Sequence, residues 1–217
     1  MSMSHQIAGR HHVGKLLLVT FLWLLEVSGV NRLFRFINKN RAIILWYHGV
    51  YDDTTAVSRP YGGMHIPVSV FRRQLNYLKK KGYSFVSLSD MIDALQHGKT
   101  LSKLVVLTFD DGYSNVVHNA YPVMKEFGAS GCLYVVSSSV WGEGLLWPDL
   151  IIAVVSQTKG RRFSLSVKGQ RLVYKVETDL SRKKAAIDII EKMRRLSNAE
   201  RTEHLLQFTL VQNRFSD

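Results

Sequence analysis

Hydrophobic positions along this chain fall into short runs whose spacing switches between strand-like and helix-like. Residues 42–47 (AIILWY) are continuously apolar and predict a buried strand ending at His48-Gly49. From Ser69 to Lys81 the period becomes helical. Phe71, Leu75 and Leu78 share one face, Ser69 is the expected N-cap, and Gly82 is the stop. Residues 83–88 predict a second strand, and Ser89 is the expected cap of a short helix over 90–97, closed by Gly98. Residues 104–109 (LVVLTF) form a third apolar run. Val117, Tyr121, Met124 and Phe127 then return to helical spacing within 114–127, with Pro122 dividing the stretch and Gly128 closing it. Residues 132–136 predict a fourth strand. Four alternations of strand and helix argue for parallel β/α units.

The rhythm changes after Trp147. Residues 148–157 read as a helix, and 163–167 with 172–176 as a hairpin around Lys168-Gly169. Two helices follow. Ser181 is the expected cap of the first, through Arg195, and Ser197 with Glu200 forms a capping-box pattern for the second, through about Val211. Residues 149–217 therefore read as an excursion from the β/α pattern, and 1–41 as a separate N-terminal segment before a domain over 42–217.

Within that segment, residues 16–25 (LLLVTFLWLL) are apolar without a break, preceded by Arg10 and Lys15 and followed by Glu26. Ten residues fall short of a bilayer span. Beyond Gly29, Val30, Leu33, Phe34 and Ile37 keep helical spacing, with Arg32, Arg35 and Lys39 on other faces. A helix lying on the domain or in an anionic membrane interface is the first reading. An uncleaved signal anchor is the second and a cleaved signal the third. The localisation expected is membrane-associated or cytoplasmic rather than secreted.

The chain has 217 residues, a formal charge of +12 and 46% hydrophobic residues, which fits one core-forming domain and excludes a disordered chain. The single cysteine, Cys132, lies in an apolar run and reads as a small packed hydrophobe. The positive charge favours anionic partners: lipid, acidic polysaccharide or nucleic acid. Basic residues are not interleaved with aromatics as in single-strand binders, so nucleic acid ranks well behind.

The candidate chemistry sits at the end of the third strand, in Asp110, Asp111 and Gly112. Carboxyl ends of parallel strands are where α/β sheets hold their sites. Two carboxylates ~4 Å apart repel by roughly 4 kcal/mol at an effective dielectric near 20. A bound cation offsets that cost and lets one carboxylate ligate while the other takes a proton. Asp-Gly is also a hairpin signal, but the helical spacing after Tyr113 favours strand, acidic turn, helix.

TFDDGY (Thr108–Tyr113) resembles the first motif of the polysaccharide deacetylases, also called nodulation-deacetylase-like proteins or carbohydrate esterase family 4. The order LWYHGV, FRRQLNYLKKKGYSFVSLSD, LTFDDGY, NAYPVMKEFG and CLYVVSS resembles a subgroup of that family over roughly residues 30–150. The resemblance implies a distorted (β/α) barrel, here incomplete, with an N-terminal amphipathic helix and the hairpin-plus-helices excursion. It implies metal-dependent removal of N-acetyl groups from a polysaccharide or oligosaccharide. Asp110 is then the general base, Asp111 a ligand of a divalent metal, usually zinc, and His48 a residue lining the substrate site.

The chain departs from the family pattern. The other two metal ligands of the family are histidines spaced four apart, and no two of His5, His11, His12, His48, His65, His97, His118 and His204 are so spaced. The expectation is the N-terminal part of a longer deacetylase, inactive alone. The alternative is a non-catalytic relative that binds glycan or membrane.

Overall fold

The computed structural model describes residues 17–54, 65–137 and 145–213. A helix over 17–27 (α1) is followed by α2 (Val30–Ile37). Then come β1 (Ile43–Tyr47), β2 (Gly49–Tyr51), β3 (His65–Pro67), α3 (Val68–Lys80), β4 (Ser84–Phe85) and α4 (Leu88–Gln96). Next are β5 (Leu104–Phe109), a wide π-type turn (Val116–Ala120), α5 (Tyr121–Glu126) and β6 (Gly131–Leu133). The remainder is α6 (Trp147–Gln157), the hairpin β7 (Arg162–Val167) and β8 (Gln170–Lys175), α7 (Asp179–Arg194) and α8 (Asn198–Asn213).

The architecture is mixed α/β around a parallel sheet. β5 is its centre. β1 runs along one edge of β5 in the register Ile43↔Val105 to Tyr47↔Phe109. The other edge is shared, with β4 beside the start of β5 and β6 beside its end. Among the described residues these four strands form an open sheet.

Alternation assigns the two faces. Ile43, Leu45, Tyr47, Val105, Leu107 and Phe109 point toward α3 and α5, where Phe71, Leu75 and Val123 are fully or almost fully buried. Tyr47, Phe71 and Phe109 meet ring to ring at centroid distances of 5.2–6.0 Å. Each fully buried apolar side chain of this size stabilises by about 1.5–3 kcal/mol. A second core fills the space between α6, the hairpin and α7, around Ile151, Val155, Val176, Ile189 and Met193.

Several expectations about helix starts are corrected. Ser69 does not cap α3; Pro67 stands at that position, and the Asp53 carboxylate takes both the Ser69 amide (2.8 Å) and its hydroxyl (2.7 Å). A carboxylate brought from a distant turn serves the helix amides as well as a local hydroxyl does. Ser87, not Ser89, caps α4, in a reciprocal box with Asp90. Thr178, not Ser181, caps α7, with Ser181 as its N3 partner. The Ser197–Glu200 box is present as expected. Gly82 ends α3 at φ +77°, and the amides of Gly82 and Tyr83 reach back to Lys79 and Leu78.

The second and fourth strands are shorter than their apolar runs, because β4 and β6 divide one edge of β5 between them. The parallel pair β2–β3, with Gly49 opposite His65, has no counterpart in the sequence reading. The expected helix on the domain is also corrected in part. α1 and α2 form, bent at Gly29, but their apolar side chains are solvent-exposed rather than packed on the body.

Candidate functional site

β5 is buried on both faces, and its pairing with β1 extends one residue further through the Asp110 amide to the Tyr47 carbonyl (2.9 Å). The chain then reverses through two left-handed residues, Asp111 (φ +69°) and Gly112 (φ +75°). Asp tolerates that region better than most side chains, at a cost of about 1–2 kcal/mol. A Cβ on Gly112 would stand 2.9 Å from Val135 Cγ1, so the turn packs directly on the segment leaving β6.

This backbone decides where the two carboxylates go. Asp110 continues the strand alternation onto the face of Trp46 and Thr108, and its Oδ2 accepts from Trp46 Nε1 at 2.5 Å. The left-handed turn swings Asp111 back, with Oδ2 3.7 Å from His48 Nε2. His48 is only 8% exposed and meets Trp46 edge-on, with ring centroids 4.9 Å apart. A Trp46–His48 wedge therefore joins the two acids at one end of the sheet, in the strand-turn-helix setting rather than a hairpin.

Further polar side chains and a tyrosine stand beside them. His65, on β3, packs edge-on against Tyr113 at 4.5 Å and shares a hydrogen bond with the Asn115 amide (3.2 Å). Asn115 Oδ1 also accepts from the Val50 amide, and Asn119 donates to the Val50 carbonyl. Burial, then the neighbouring His48, holds the His65 imidazole below its usual pKa, against an opposing pull from Asp111. The Tyr113 hydroxyl donates to Asp149 Oδ2 at 2.9 Å and ties the acidic turn to the first turn of α6. Burial chiefly, and then the Asp149 charge, pushes the phenol up. Burial pushes the Asp149 carboxyl up too, with Asp111 adding to it, against the stabilising hydrogen bond from Tyr113.

Sequence reasoning named Asp110, Asp111 and His48, and the structure brings these three together. It missed Trp46, although Trp46 lies two residues before His48 and so shares its face by strand period. It also missed His65, Asn115 and Asp149, which come from separate elements and carry no local signal.

The donor set does not fit a catalytic zinc. Such a metal takes about three protein ligands. Asp111 and His48 are one carboxylate and one imidazole, and among the described residues no group of three or more His, Cys, Asp or Glu side chains is placed to hold a metal.

A family model described as polysaccharide deacetylase matches residues 97–158. A poly-beta-1,6-N-acetyl-D-glucosamine N-deacetylase of Escherichia coli K12 is 34% identical over 89 residues, which is 41% of this chain and 13% of that protein. The Staphylococcus aureus protein of the same name is 24% identical over 121 residues, covering 52% of this chain and 42% of that one. The chain thus spans less than half the length of these curated relatives. Among solved structures, IcaB from Ammonifex degensii is 29% identical, with a TM-score of 0.40 over 54% of this chain and 49% of that one. A de-N-acetylase from Aggregatibacter actinomycetemcomitans is 24% identical, with a TM-score of 0.44 over 67% and 69%. The polysaccharide deacetylase family model thus matches the segment of this chain that holds the strand, the acidic turn and the helices after it, and over that segment the chain is similar to that family.

Proposed function

We propose that the chain provides the amide-hydrolysing end of an N-deacetylase acting on an N-acetylated polysaccharide such as poly-N-acetylglucosamine. The observation that carries this is the convergence of Asp110, Asp111 and His48 at the carboxyl end of β1 and β5. In this reading the open sheet is one wall of a distorted (β/α) barrel. Asp110 is the general base. Its Oδ2 is engaged by the Trp46 indole, so Oδ1 takes the proton from the attacking water. The water oxygen bonds to the acetamide carbonyl carbon, the carbon–nitrogen bond breaks, acetate leaves, and the amine nitrogen of the sugar takes up a proton. By resemblance Asp111 would be one ligand of a divalent metal, usually zinc, which the donors among the described residues do not complete, and His48 lines the same opening.

The donor set among the described residues favours a second reading, in which the chain binds the glycan without turning it over. One experiment addresses both. Acetate release from β-1,6-linked N-acetylglucosamine oligomers is measured with added zinc, alongside NMR titration of the folded chain with the same oligomers. Expected are shifts at His48, Asp110 and Asp111 and no acetate above background. Turnover abolished by Asp111→Asn would keep the reaction class and refute the incomplete donor set. No binding and no turnover would refute the glycan reading altogether.

A further inference from the structure

We propose that α1, α2 and the notch beneath α2 form a docking surface for an anionic lipid bilayer. Eight large apolar side chains on α1 and five on α2 are at least half exposed. A helix that is apolar all round is stable only when buried in protein or in lipid. α1 is such a helix, since Leu17, Phe21, Leu22, Trp23 and Val27 lie on different faces and all stand in solvent. α2 differs, setting Leu33, Phe34 and Ile37 against Arg32 and Asn31. Among the described residues no helix is long and apolar enough to cross a membrane, and α1 is assigned to one leaflet of the interface. Trp23 and the phenylalanines suit the headgroup boundary.

The charge beside this face is one-sided. Residues 17–41 hold four basic side chains and a single acid, Glu26, which accepts from Asn31. Below α2 lies a notch of about 350 Å³ with Phe34, Ile43 and Tyr83 as its apolar floor and Lys39, Arg41 and Lys103 at its rim. The Lys39 and Lys103 ammonium groups lie over the rings of Phe36 (4.9 Å) and Tyr83 (4.3 Å), so positive charge is held at an apolar surface. Such a notch takes a lipid phosphate with its glycerol and first acyl carbons.

The placement has a consequence for the site. The notch is at the amino end of the sheet, beside Ile43 and Lys103, whereas Asp110 and Asp111 are at the carboxyl end. Six residues of β5 separate them by about 20 Å. The acids therefore face away from the bilayer and reach a glycan extending into solvent, not a sugar at the headgroups.

The test uses the full chain and sedimentation with vesicles of phosphatidylcholine alone or of equal parts phosphatidylcholine and phosphatidylglycerol. The anionic vesicles are expected to bind more tightly. Combined Lys39→Gln, Arg41→Gln and Lys103→Gln is expected to weaken that binding on the order of a hundredfold, while Leu33→Asp with Phe34→Asp weakens binding to both vesicles. Quenching by brominated lipid is expected to be lost in Trp23→Phe. Asp111→Asn is expected to bind as the parent does, which separates this inference from the deacetylase reading. Equal affinity for both vesicles, an unchanged triple variant, or a chain that dimerises and stays in the supernatant would overturn it.

Discussion

Gly49 offers the sharpest test of how the site is built. It pairs with His65 across β2–β3, and a Cβ there would run into His65 Nδ1, 2.5 Å from Cε1 and 2.8 Å from Asn115 Oδ1. The ring cannot swing clear, because it is half-buried, packed edge-on against Tyr113 and hydrogen-bonded to Asn115. Overpacking a site of this kind costs about 1–3 kcal/mol, and the lost His65–Asn115 hydrogen bond about 0.5–1.5. Gly49→Ala is therefore expected to destabilise the chain by ~3 kcal/mol, or roughly 6–12 °C in Tm for a chain of this size. Urea unfolding followed by far-UV circular dichroism reads this as a lower midpoint at constant slope. His65→Ala added to Gly49→Ala makes room and should restore part of the loss, a non-additivity of contacting residues. A Gly49→Ala stability within ~0.5 kcal/mol of the parent, or strict additivity of the pair, would refute the close approach of Gly49 to His65 and Asn115.

Burial raises the Tyr47 phenol from 10.0 to about 12, and its hydroxyl donates to Gln74. The folded state then holds this proton more tightly than the unfolded chain, so its stabilisation is full below about pH 10 and is lost as pH rises toward 12. The parent is expected to lose about 2 kcal/mol more than Tyr47→Phe across that window, at 1.36 kcal/mol per pH unit, in urea titrations at each pH. Asp149→Ala strands the Tyr113 hydroxyl and should cost ~1–3 kcal/mol. Asp149→Asn keeps an acceptor and removes a partly buried charge, so its urea midpoint should equal or exceed the parent's. Ser87→Ala is expected to cost about 1 kcal/mol through the lost cap of α4; equal losses from Ser87→Ala and Ser89→Ala in thermal melts would count against the observed capping box.

The acidic turn was legible because it is local. An apolar run buried on both faces, two carboxylates and a glycine lie in consecutive positions, whereas the shared face of Asp110 and Trp46 comes from the β1–β5 register. The stops at Gly82 and Gly128 were legible for the same reason. Helix starts were less so, since a hydroxyl at 69, 87, 89, 178 or 181 serves equally well in sequence. The backbone around it, or a carboxylate such as Asp53 from another turn, settles which one is used.

What the amino-acid sequence determined by itself was the β/α alternation, the hairpin near the end, and the identity of the acids, because each follows from spacing within a few residues. Tertiary structure alone decided that β4 and β6 split one edge of β5 and that β2 and β3 pair around Gly49. It also set His65, Asn115 and Asp149 around the acidic turn and put the basic notch at the opposite end of the sheet. Those arrangements join residues up to 69 positions apart, where chain spacing carries no information and only packing brings the groups into contact.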